Sequence, residues 1–188
     1  MAICCKVDLG IAIGATDCDK KIVAGAKDLR IVAKCSIAST VIAACPSRAV
    51  TSIVMSGTDK FFKFDTRDET LQHEFEHTFD KETGNVTYSE TVTSEVALKN
   101  ESAMCALDKL FNKEVVALVK EKGTDGKWII VGLSGGLFLT SNAGKTGLKK
   151  ADNKNTVITL SGELDDRWLY VFDTDQTTTD VLIDSITA

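Results

Sequence analysis

Residues 71–98 read LQHEFEHTFDKETGNVTYSETVTSEVAL, and this stretch decides the fold class. In its first nine residues, apolar, aromatic and histidine side chains alternate with polar ones, which is the period of a strand with one buried face. The run after the turn at residues 80–85 alternates again, although Glu90 and Ser94 interrupt its apolar face. Because a glycine-containing turn joins the two runs, we predict a long β-hairpin over about residues 70–98.

Short apolar runs with β-type composition recur along the rest of the chain and are separated by turn residues. We expect one such turn at Asn142–Gly144 and a non-strand link over Ser161–Asp166. Strands at this spacing are typical of an antiparallel β-barrel or a two-sheet sandwich. The predicted strands outside the hairpin centre on residues 31–33, 41–44, 51–55, 61–64, 115–119, 128–131, 137–139, 157–160 and 168–172.

One helix is predicted, over about residues 100–113. Its apolar residues recur at helical spacing, and Asn100 or Ser102 provides a cap. A single helix among many strands predicts a mainly β (α+β) fold with one flanking helix. No linker-like segment divides the chain, so we expect a single domain over residues 1–188, with N-terminal and C-terminal arms. The apolar residues of the helix are Ala103, Met104, Leu107, Leu110 and Phe111.

The composition of the chain excludes several classes of protein. With 188 residues, 44% apolar and 26% charged, it matches an ordinary soluble globular protein. A net charge of −5 argues against a protein that grips nucleic acid by its phosphates, but allows one past which nucleic acid slides. Its six cysteines form no CxxC pair, which argues against a zinc knuckle. No apolar stretch reaches the roughly 20 residues of a membrane span, so we expect no membrane partner.

Charge is distributed along the chain in blocks of alternating sign. Residues 1–60 carry a net charge of +3 and residues 61–101 carry −6, whereas residues 102–161 carry +4 and residues 162–188 carry −6. These blocks are either separate solvated faces or surfaces of opposite sign that meet when copies of the chain assemble. The second interpretation predicts an assembly that depends on ionic strength.

Residues 73–77, His-Glu-Phe-Glu-His, match the metalloprotease motif H-E-x-x-H letter for letter. On a helix, the two histidines of that motif share one face and bind one zinc ion, with the glutamate as general base. The alternation here predicts a strand, on which His73 and His77 lie about 13 Å apart because each residue rises about 3.3 Å. We therefore expect no catalytic residue, no metal and no cofactor, and we keep a zinc-dependent hydrolase as a distant alternative.

The order of turns and apolar runs over residues 115–172 resembles the tail tube proteins of long-tailed bacteriophages, in particular those of phages with Bacteroidetes-type hosts. The resemblance extends more weakly back to Gly25 and Asp28–Ile31 and covers most of residues 20–172. It depends largely on turn motifs. The matching segments are Val116–Val119, Asp125–Trp128, Val131–Leu133, Gly136–Ser141, Gly144–Gly147, Asp152-Asn153, Val157–Glu163 and Leu169–Val171.

The resemblance implies a structural virion protein that is not an enzyme. Six copies would form a ring by joining sheet edges, and the rings would stack into a hollow tube through which DNA passes without specific binding. The partners would be the protein itself and other tail proteins, such as sheath, terminator or baseplate. The protein would reside in the virion tail after assembly in the cytoplasm of the host bacterium.

Within this interpretation, the acidic face of the hairpin is the candidate lining of the lumen. Glu74, Glu76 and Asp80 share the parity of one strand face, and acidic side chains repel DNA phosphates. We take these three residues as lumen-facing or as inter-subunit contacts. The alternatives are the tube protein of a contractile injection or type VI secretion apparatus, and another virion component such as a terminator or head decoration protein. A small intracellular binding module that does not assemble is a further alternative.

Overall fold

Antiparallel strands dominate a computed structural model that describes residues 25–44, 48–67, 69–96, 105, 107–122, 126–145, 155–172 and 176–188. The predicted mainly β fold class is confirmed. A short 3₁₀ turn at Lys34–Ser36 and a C-terminal helix at Gln176–Ser185 complete the elements. The strands are β1 (Ala26–Ala33), β2 (Ile37–Ile42), β3 (Val50–Met55), β4 (Phe62–Phe64), β5 (Gln72–Phe79), β6 (Val86–Val96), β7 (Val115–Glu121), β8 (Trp128–Val131), β9 (Phe138–Lys145), β10 (Asn155–Leu164) and β11 (Leu169–Tyr170).

The strands form two facing sheets and one separate hairpin. The five-stranded sheet has the order β11-β8-β7-β1-β4, the four-stranded sheet has the order β5-β6-β10-β9, and β2 pairs with β3. Single antiparallel bridges, Val115 with Leu137 and Thr66 with Val96, tie the two larger sheets together. Of the two predicted architectures, the sandwich describes this arrangement, and no barrel closure is seen among the described residues.

The main core lies between the two larger sheets. Alternate residues of β7, such as Ala117 and Val119, face Ile158 and Leu160 of β10 and Val92 of β6, and all five are almost completely buried. Burying one large apolar side chain contributes about 1.5–3 kcal/mol. This layer therefore fixes the position of the four-stranded sheet, whose outer face and β5–β6 hairpin carry the candidate surfaces.

A second core covers the opposite face of the five-stranded sheet. Val116, Leu118 and Ile130 pack there against Phe61 and against Ile183 of the C-terminal helix. Because β7 and β8 are buried on both faces, their sequences are continuous apolar runs without alternation. In β6, by contrast, buried residues alternate with partly exposed ones over its second half.

Ionic contacts hold the C-terminal helix on the sheet. Asp180 accepts hydrogen bonds from Lys120 Nζ at 2.5 Å and from Trp128 Nε1 at 2.7 Å. Asp184 accepts one from Arg30 at 2.7 Å, and the Arg30 guanidinium lies 4.7 Å from the centre of the Trp128 ring. The sequence analysis assigned these residues to an arm and missed the helix, because a segment rich in β-branched residues has low helix propensity. The contacts of Asp180 and Asp184 with the sheet stabilise this helix despite its low intrinsic propensity.

Two local predictions are wrong in the region of β9 and β10. The expected turn at Asn142–Gly144 lies inside β9, where Asn142 pairs with Ile158 of β10. The expected link over Ser161–Asp166 begins later, because β10 continues to Leu164 and pairs with β6 along that length. Pairing with neighbouring strands outweighs the turn propensity of asparagine, serine and glycine at these positions.

The helix predicted over about residues 100–113 is described only in part. Residues 100–104 and 106 lie outside the described residues, whereas Cys105, Leu107 and Asp108 are helical and residues 109–112 form turns. Leu107 is completely buried in the main core, as its place in the predicted stripe requires. Leu110 also packs against this core, whereas Phe111 remains about two-fifths exposed.

Gly162 lies where β10 approaches a turn too closely for a side chain. A Cβ at this position would sit 2.5 Å from the carbonyl oxygen of Gly136, and backbone cannot yield as a flexible side chain does. We expect Gly162→Ala to lower the free energy of unfolding by about 1–3 kcal/mol, the usual cost of overpacking. Urea denaturation measures this, with Glu163→Ala, an exposed neighbour, as the control. Equal stability of the two variants would contradict the close approach.

Candidate assembly surfaces

The β5–β6 hairpin projects beyond the sheet to which it belongs. The hairpin is confirmed within the predicted bounds, with β5 paired to β6 from Gln72–Thr93 to Phe79–Val86. β10 supports β6 only as far as Tyr88, so Val86, Phe79 and the turn between them extend past the four-stranded sheet. The end of the hairpin is therefore unsupported by a third strand among the described residues.

Apolar side chains lie exposed along the hairpin, with Phe79 and Val86 on the projecting part and Phe75 where β10 still supports β6. Phe75 is 54% exposed, Phe79 59% and Val86 48%, and we refer to these three residues as the hairpin patch. The alternation over residues 71–79 correctly predicted that these side chains share one face. Only the base of that face is buried, where Leu71 is 3% exposed. Monomeric proteins rarely expose contiguous large apolar side chains, and where they do the patch usually marks an interaction site.

A row of aromatic rings in tilted and edge-to-face contact includes Phe75 of the hairpin patch. The ring centroids lie 4.8 Å apart for His77 and Tyr88 and 5.3 Å apart for His77 and Phe75. The row continues from Phe75 to Trp168 at 5.8 Å and from Trp168 to Tyr170 at 5.1 Å. Rings at these separations attract one another, so the row holds the hairpin against the segment that precedes β11. Phe75 of the patch is thus held against that segment.

A buried carboxylate fixes the base of the same hairpin. Glu90 of β6 is completely buried and accepts a hydrogen bond from the backbone N–H of Trp168 at 2.6 Å. Its other oxygen lies 3.3 Å from Nε2 of His73 on β5. A buried carboxylate is costly unless it is hydrogen-bonded, and here both oxygens have partners. Sequence reasoning treated Glu90 only as an interruption, although it shares the parity of the buried Val92.

Burial also affects two titratable groups at this end of the sandwich. Desolvation raises the pKa of the Glu121 carboxyl, and the nearby charges of His73 and Lys127 oppose that rise. Desolvation likewise raises the pKa of the Tyr170 phenol, and the Glu121 carboxylate adds to the rise. Both groups therefore lie where water is partly excluded beside the base of the hairpin.

The H-E-x-x-H sequence lies on β5 and not on a helix. His73 contacts Glu90, His77 contacts Tyr88, and the Phe75 ring lies between the two imidazoles, 5.8 Å from the first and 5.3 Å from the second. The arrangement that the motif requires, with both histidines on one face of a helix, is absent from this segment. Within the part of the chain that the structure describes, no group of three or more metal-ligating side chains occurs.

The outer face of the four-stranded sheet is polar over its central rows, whereas Phe138 of β9 pairs with Ser161 at its margin. Apart from Lys145 at the end of β9, the four strands contain no lysine or arginine. Hydroxyl and carboxylate side chains dominate the face, and we refer to it as the acidic face. Its central rows, read across β5, β6 and β10, are Gln72–Thr93–Thr159, Glu74–Thr91–Ser161 and Glu76–Ser89–Glu163.

Two of the three predicted lumen residues lie together on the acidic face. Glu74 and Glu76 are exposed there, and Glu74 accepts a hydrogen bond from Gln72 at 2.7 Å. Asp80 lies at the end of β5 and shapes the turn, since its carboxylate accepts hydrogen bonds from Thr83 Oγ1 at 2.6 Å and from the Glu82 N–H at 2.8 Å. The bonds from Thr83 and Glu82 lower the pKa of Asp80. Asp80 is exposed at the end of the hairpin, so the role that fits its position is an inter-subunit contact at that end.

The comparisons with known proteins add no relationship to these surfaces. Among the described residues, no helix is both long and apolar enough to span a bilayer. Because the comparisons identify no relative, the hairpin patch and the acidic face are interpreted from their own chemistry and from the sequence resemblance. No family model matches the chain, and no curated protein or solved structure matches it either.

Proposed function

We propose that this chain is a self-assembling structural subunit of the phage tail tube type, whose copies join into rings that stack into a hollow tube. The single observation that carries the proposal is the hairpin patch, which exposes Phe75, Phe79 and Val86, with the Phe75 ring in contact with Trp168. Burying a large apolar side chain against a neighbour releases about 1.5–3 kcal/mol. Such a patch stabilises the association of copies and contributes little to the folding stability of an isolated chain.

Open strand edges support association with identical copies. Among the described residues, β9 has β10 as its only neighbour in the sheet and leaves one edge unpaired. β4 has β1 as its only neighbouring strand, but the adjoining Phe61 already forms a parallel bridge to Thr187 on the outer side. Exposed aromatic rings lie on both strands, Phe138 on β9 and Phe62 on β4. Unpaired edges favour pairing with another chain, and like subunits usually close such contacts into rings.

The acidic face supports a role as the wall of a passage for DNA. Its carboxylates, Glu74, Glu76 and Glu163, lie in rows with hydroxyl side chains. Because DNA is uniformly negative, such a wall repels the phosphates, and the central rows of the face contain no lysine or arginine to hold them. The tube of an injection or secretion apparatus would use the same assembly surfaces. The genes that flank this one would distinguish the two kinds of tube.

Assembly of the purified full-length chain tests the proposal. Sedimentation velocity over a range of concentrations into the millimolar region, followed by negative-stain electron microscopy, should show rings or tubes with a central hole. A chain that remains monomeric over the whole range, with native circular dichroism, would refute self-assembly. The experiment should be repeated at low and high salt, because the charge blocks of the sequence predict that ionic strength changes the extent of stacking.

Charge reversal on the acidic face is expected to turn the passage into a DNA-binding surface. In the assembled protein, Glu74→Lys with Glu76→Lys changes the charge of each subunit by about four units, since two carboxylates become two ammonium groups. We expect these assemblies to retain double-stranded DNA at low salt and to release it as salt rises. Filter binding measures the retention. Asp59→Lys with Asp108→Lys, exposed positions away from this face, is the matched control. Equal retention by both variants would contradict the assignment of the lumen.

A further inference from the structure

Residues 186–188, which follow the C-terminal helix, bridge to the chain beside β4, an edge strand of the five-stranded sheet. Thr187 forms a parallel bridge with Phe61, which directly precedes β4. Both backbone groups of Phe61 take part, because its N–H donates to the carbonyl oxygen of Ile186 at 2.8 Å and its carbonyl oxygen accepts from the N–H of Ala188 at 2.8 Å. The outer edge at Phe61 is therefore occupied by residues of the same chain.

One arginine side chain holds these residues in place. Arg30 of β1 is 5% exposed, and its guanidinium donates to Thr187 Oγ1 at 2.5 Å and to Asp184 Oδ1 at 2.7 Å. One planar fork thus binds both the bridging residue and the last turn of the helix. Arg30 also contacts Asp28 at 3.5 Å and lies over the Trp128 ring, so its own position does not depend on residues 186–188 alone.

The opposite edge of the five-stranded sheet carries the same kind of bridge. Val50 forms a parallel bridge with Val171, which directly follows β11, and its carbonyl oxygen accepts a hydrogen bond from the N–H of Phe172 at 2.6 Å. The edge strands β4 and β11 are themselves only three and two residues long. Short edge strands and covering segments are means by which proteins keep a sheet edge from pairing with another chain. The five-stranded sheet uses both at each of its edges.

We propose that residues 186–188 are an edge guard, which Arg30 holds in place and which keeps the β4 edge from pairing with a second copy of this chain. The N–H groups of alternate strand residues point the same way, so the N–H of Lys63 faces the same side as the bonded N–H of Phe61. Phe62, which is 62% exposed, adds apolar surface to such a contact. A second copy fits because antiparallel pairing of β4 with β4 is self-complementary.

The edge guard restricts the surfaces through which copies join. The inference rests on the proposed function, since a guarded edge matters most in a chain that assembles through other surfaces. With the edge guard closed, the outer edge of β9 and the hairpin patch remain available, and association through the five-stranded sheet is suppressed. Its physical content, that opening the edge guard exposes an edge that pairs, is measurable even in a chain that forms no tube.

Removing both of the oxygen acceptors that Arg30 binds on this segment tests the proposal in the full-length chain. Asp184→Ala with Thr187→Val deletes these acceptors and leaves Arg30 its contact with Asp28. We expect the amide of Phe61 to exchange with deuterium roughly tenfold faster or more, because losing hydrogen bonds to a charged donor lowers the cost of local opening. Thr187→Ser keeps the hydroxyl group and is the matched control, with exchange at the wild-type rate.

Sedimentation velocity of the same variant shows whether the freed edge pairs. It is measured below the concentration at which the wild-type chain assembles. Because both copies must open their edge guards, a tenfold more frequent opening raises the dimer association constant by about a hundredfold. Adding Lys63→Pro removes a donor from the β4 edge and is expected to return association to the wild-type level, since proline cannot donate to a ladder.

Three outcomes would overturn the proposal. Unchanged exchange at Phe61 would show that Arg30 does not hold the edge guard. Faster exchange without stronger association would show that the β4 edge does not pair. Association that persists after Lys63→Pro would place the contact elsewhere. A wild-type chain that stays monomeric at every concentration would refute the proposed function and would still leave each of these results measurable.

Discussion

Replacing Phe79 and Val86 together by aspartate is expected to abolish assembly and to leave the fold of the single chain unchanged. Both side chains are about half exposed or more, at 59% and 48%, so the isolated chain loses little when they become polar. In an assembly the same positions would bury two carboxylates without partners, which is strongly unfavourable. We expect association to weaken at least about a hundredfold, since each 1.4 kcal/mol is a factor of ten.

Sedimentation velocity and electron microscopy measure this loss of association, and urea denaturation checks the fold. A control at equally exposed positions is available on the β2–β3 hairpin, where Val41 is 55% exposed and Val54 is 49% exposed. Val41→Asp with Val54→Asp introduces the same charges away from the hairpin patch and should still assemble. Assembly of the Phe79→Asp, Val86→Asp variant at the concentration at which the wild-type chain assembles would show that the hairpin patch is not a contact.

Replacing Asp180 by alanine is expected to produce the largest loss of stability among the polar substitutions. The Asp180 carboxylate is the partner of Lys120, which is only 7% exposed, and of the Trp128 indole N–H. Its removal leaves a buried ammonium and a buried N–H without partners. Breaking a fully buried pair costs about 3–5 kcal/mol, and because the Asp180 side chain is 34% exposed we expect roughly 2–4 kcal/mol. Urea denaturation at neutral pH measures this, with the exposed Asp165→Ala as the control.

The contribution of Asp180 is expected to disappear in acid. Desolvation alone would raise its pKa, but the hydrogen bonds from Lys120 and Trp128 outweigh it and hold the pKa below the usual value of an aspartate. A carboxyl whose pKa is lower in the folded state stabilises the protein above its unfolded pKa, and that stabilisation is lost as pH falls through the folded value. The stability difference between wild type and Asp180→Asn should therefore be constant above about pH 5 and shrink below about pH 4. A difference that persists unchanged in strong acid would contradict the role of the ionised carboxylate.

The hairpin and the fold class were predictable from sequence because they follow from local rules. Alternation over residues 71–79 and 86–96 fixed both the strand type and the side chains that share a face, and the glycine-containing turn fixed their pairing. The parity of Glu74 and Glu76 likewise predicts that they share one face of the strand, as the structure shows. These features depend only on the pleat of a strand, which places successive side chains on opposite faces in every sequence.

The remaining features depend on contacts between distant parts of the chain. Alternation showed that Phe75 and Phe79 share a face, but whether that face is covered depends on where the opposing sheet and β10 end. The burial of Glu90 depends on the Trp168 N–H, far along the chain. The C-terminal helix is held by Lys120 and Arg30 on the sheet. No local propensity encodes such contacts, which is why these features were missed.

A cryo-electron-microscopy reconstruction of the assembled wild-type chain tests the central claim most directly, because it locates the hairpin within the assembly. The account predicts Phe79 and Val86 in apolar contact with a neighbouring copy, at heavy-atom distances of about 4.5 Å or less. It also predicts Glu74 and Glu76 facing a central opening. An assembly in which the hairpin end points into bulk solvent while Glu74 and Glu76 are buried between copies would contradict it.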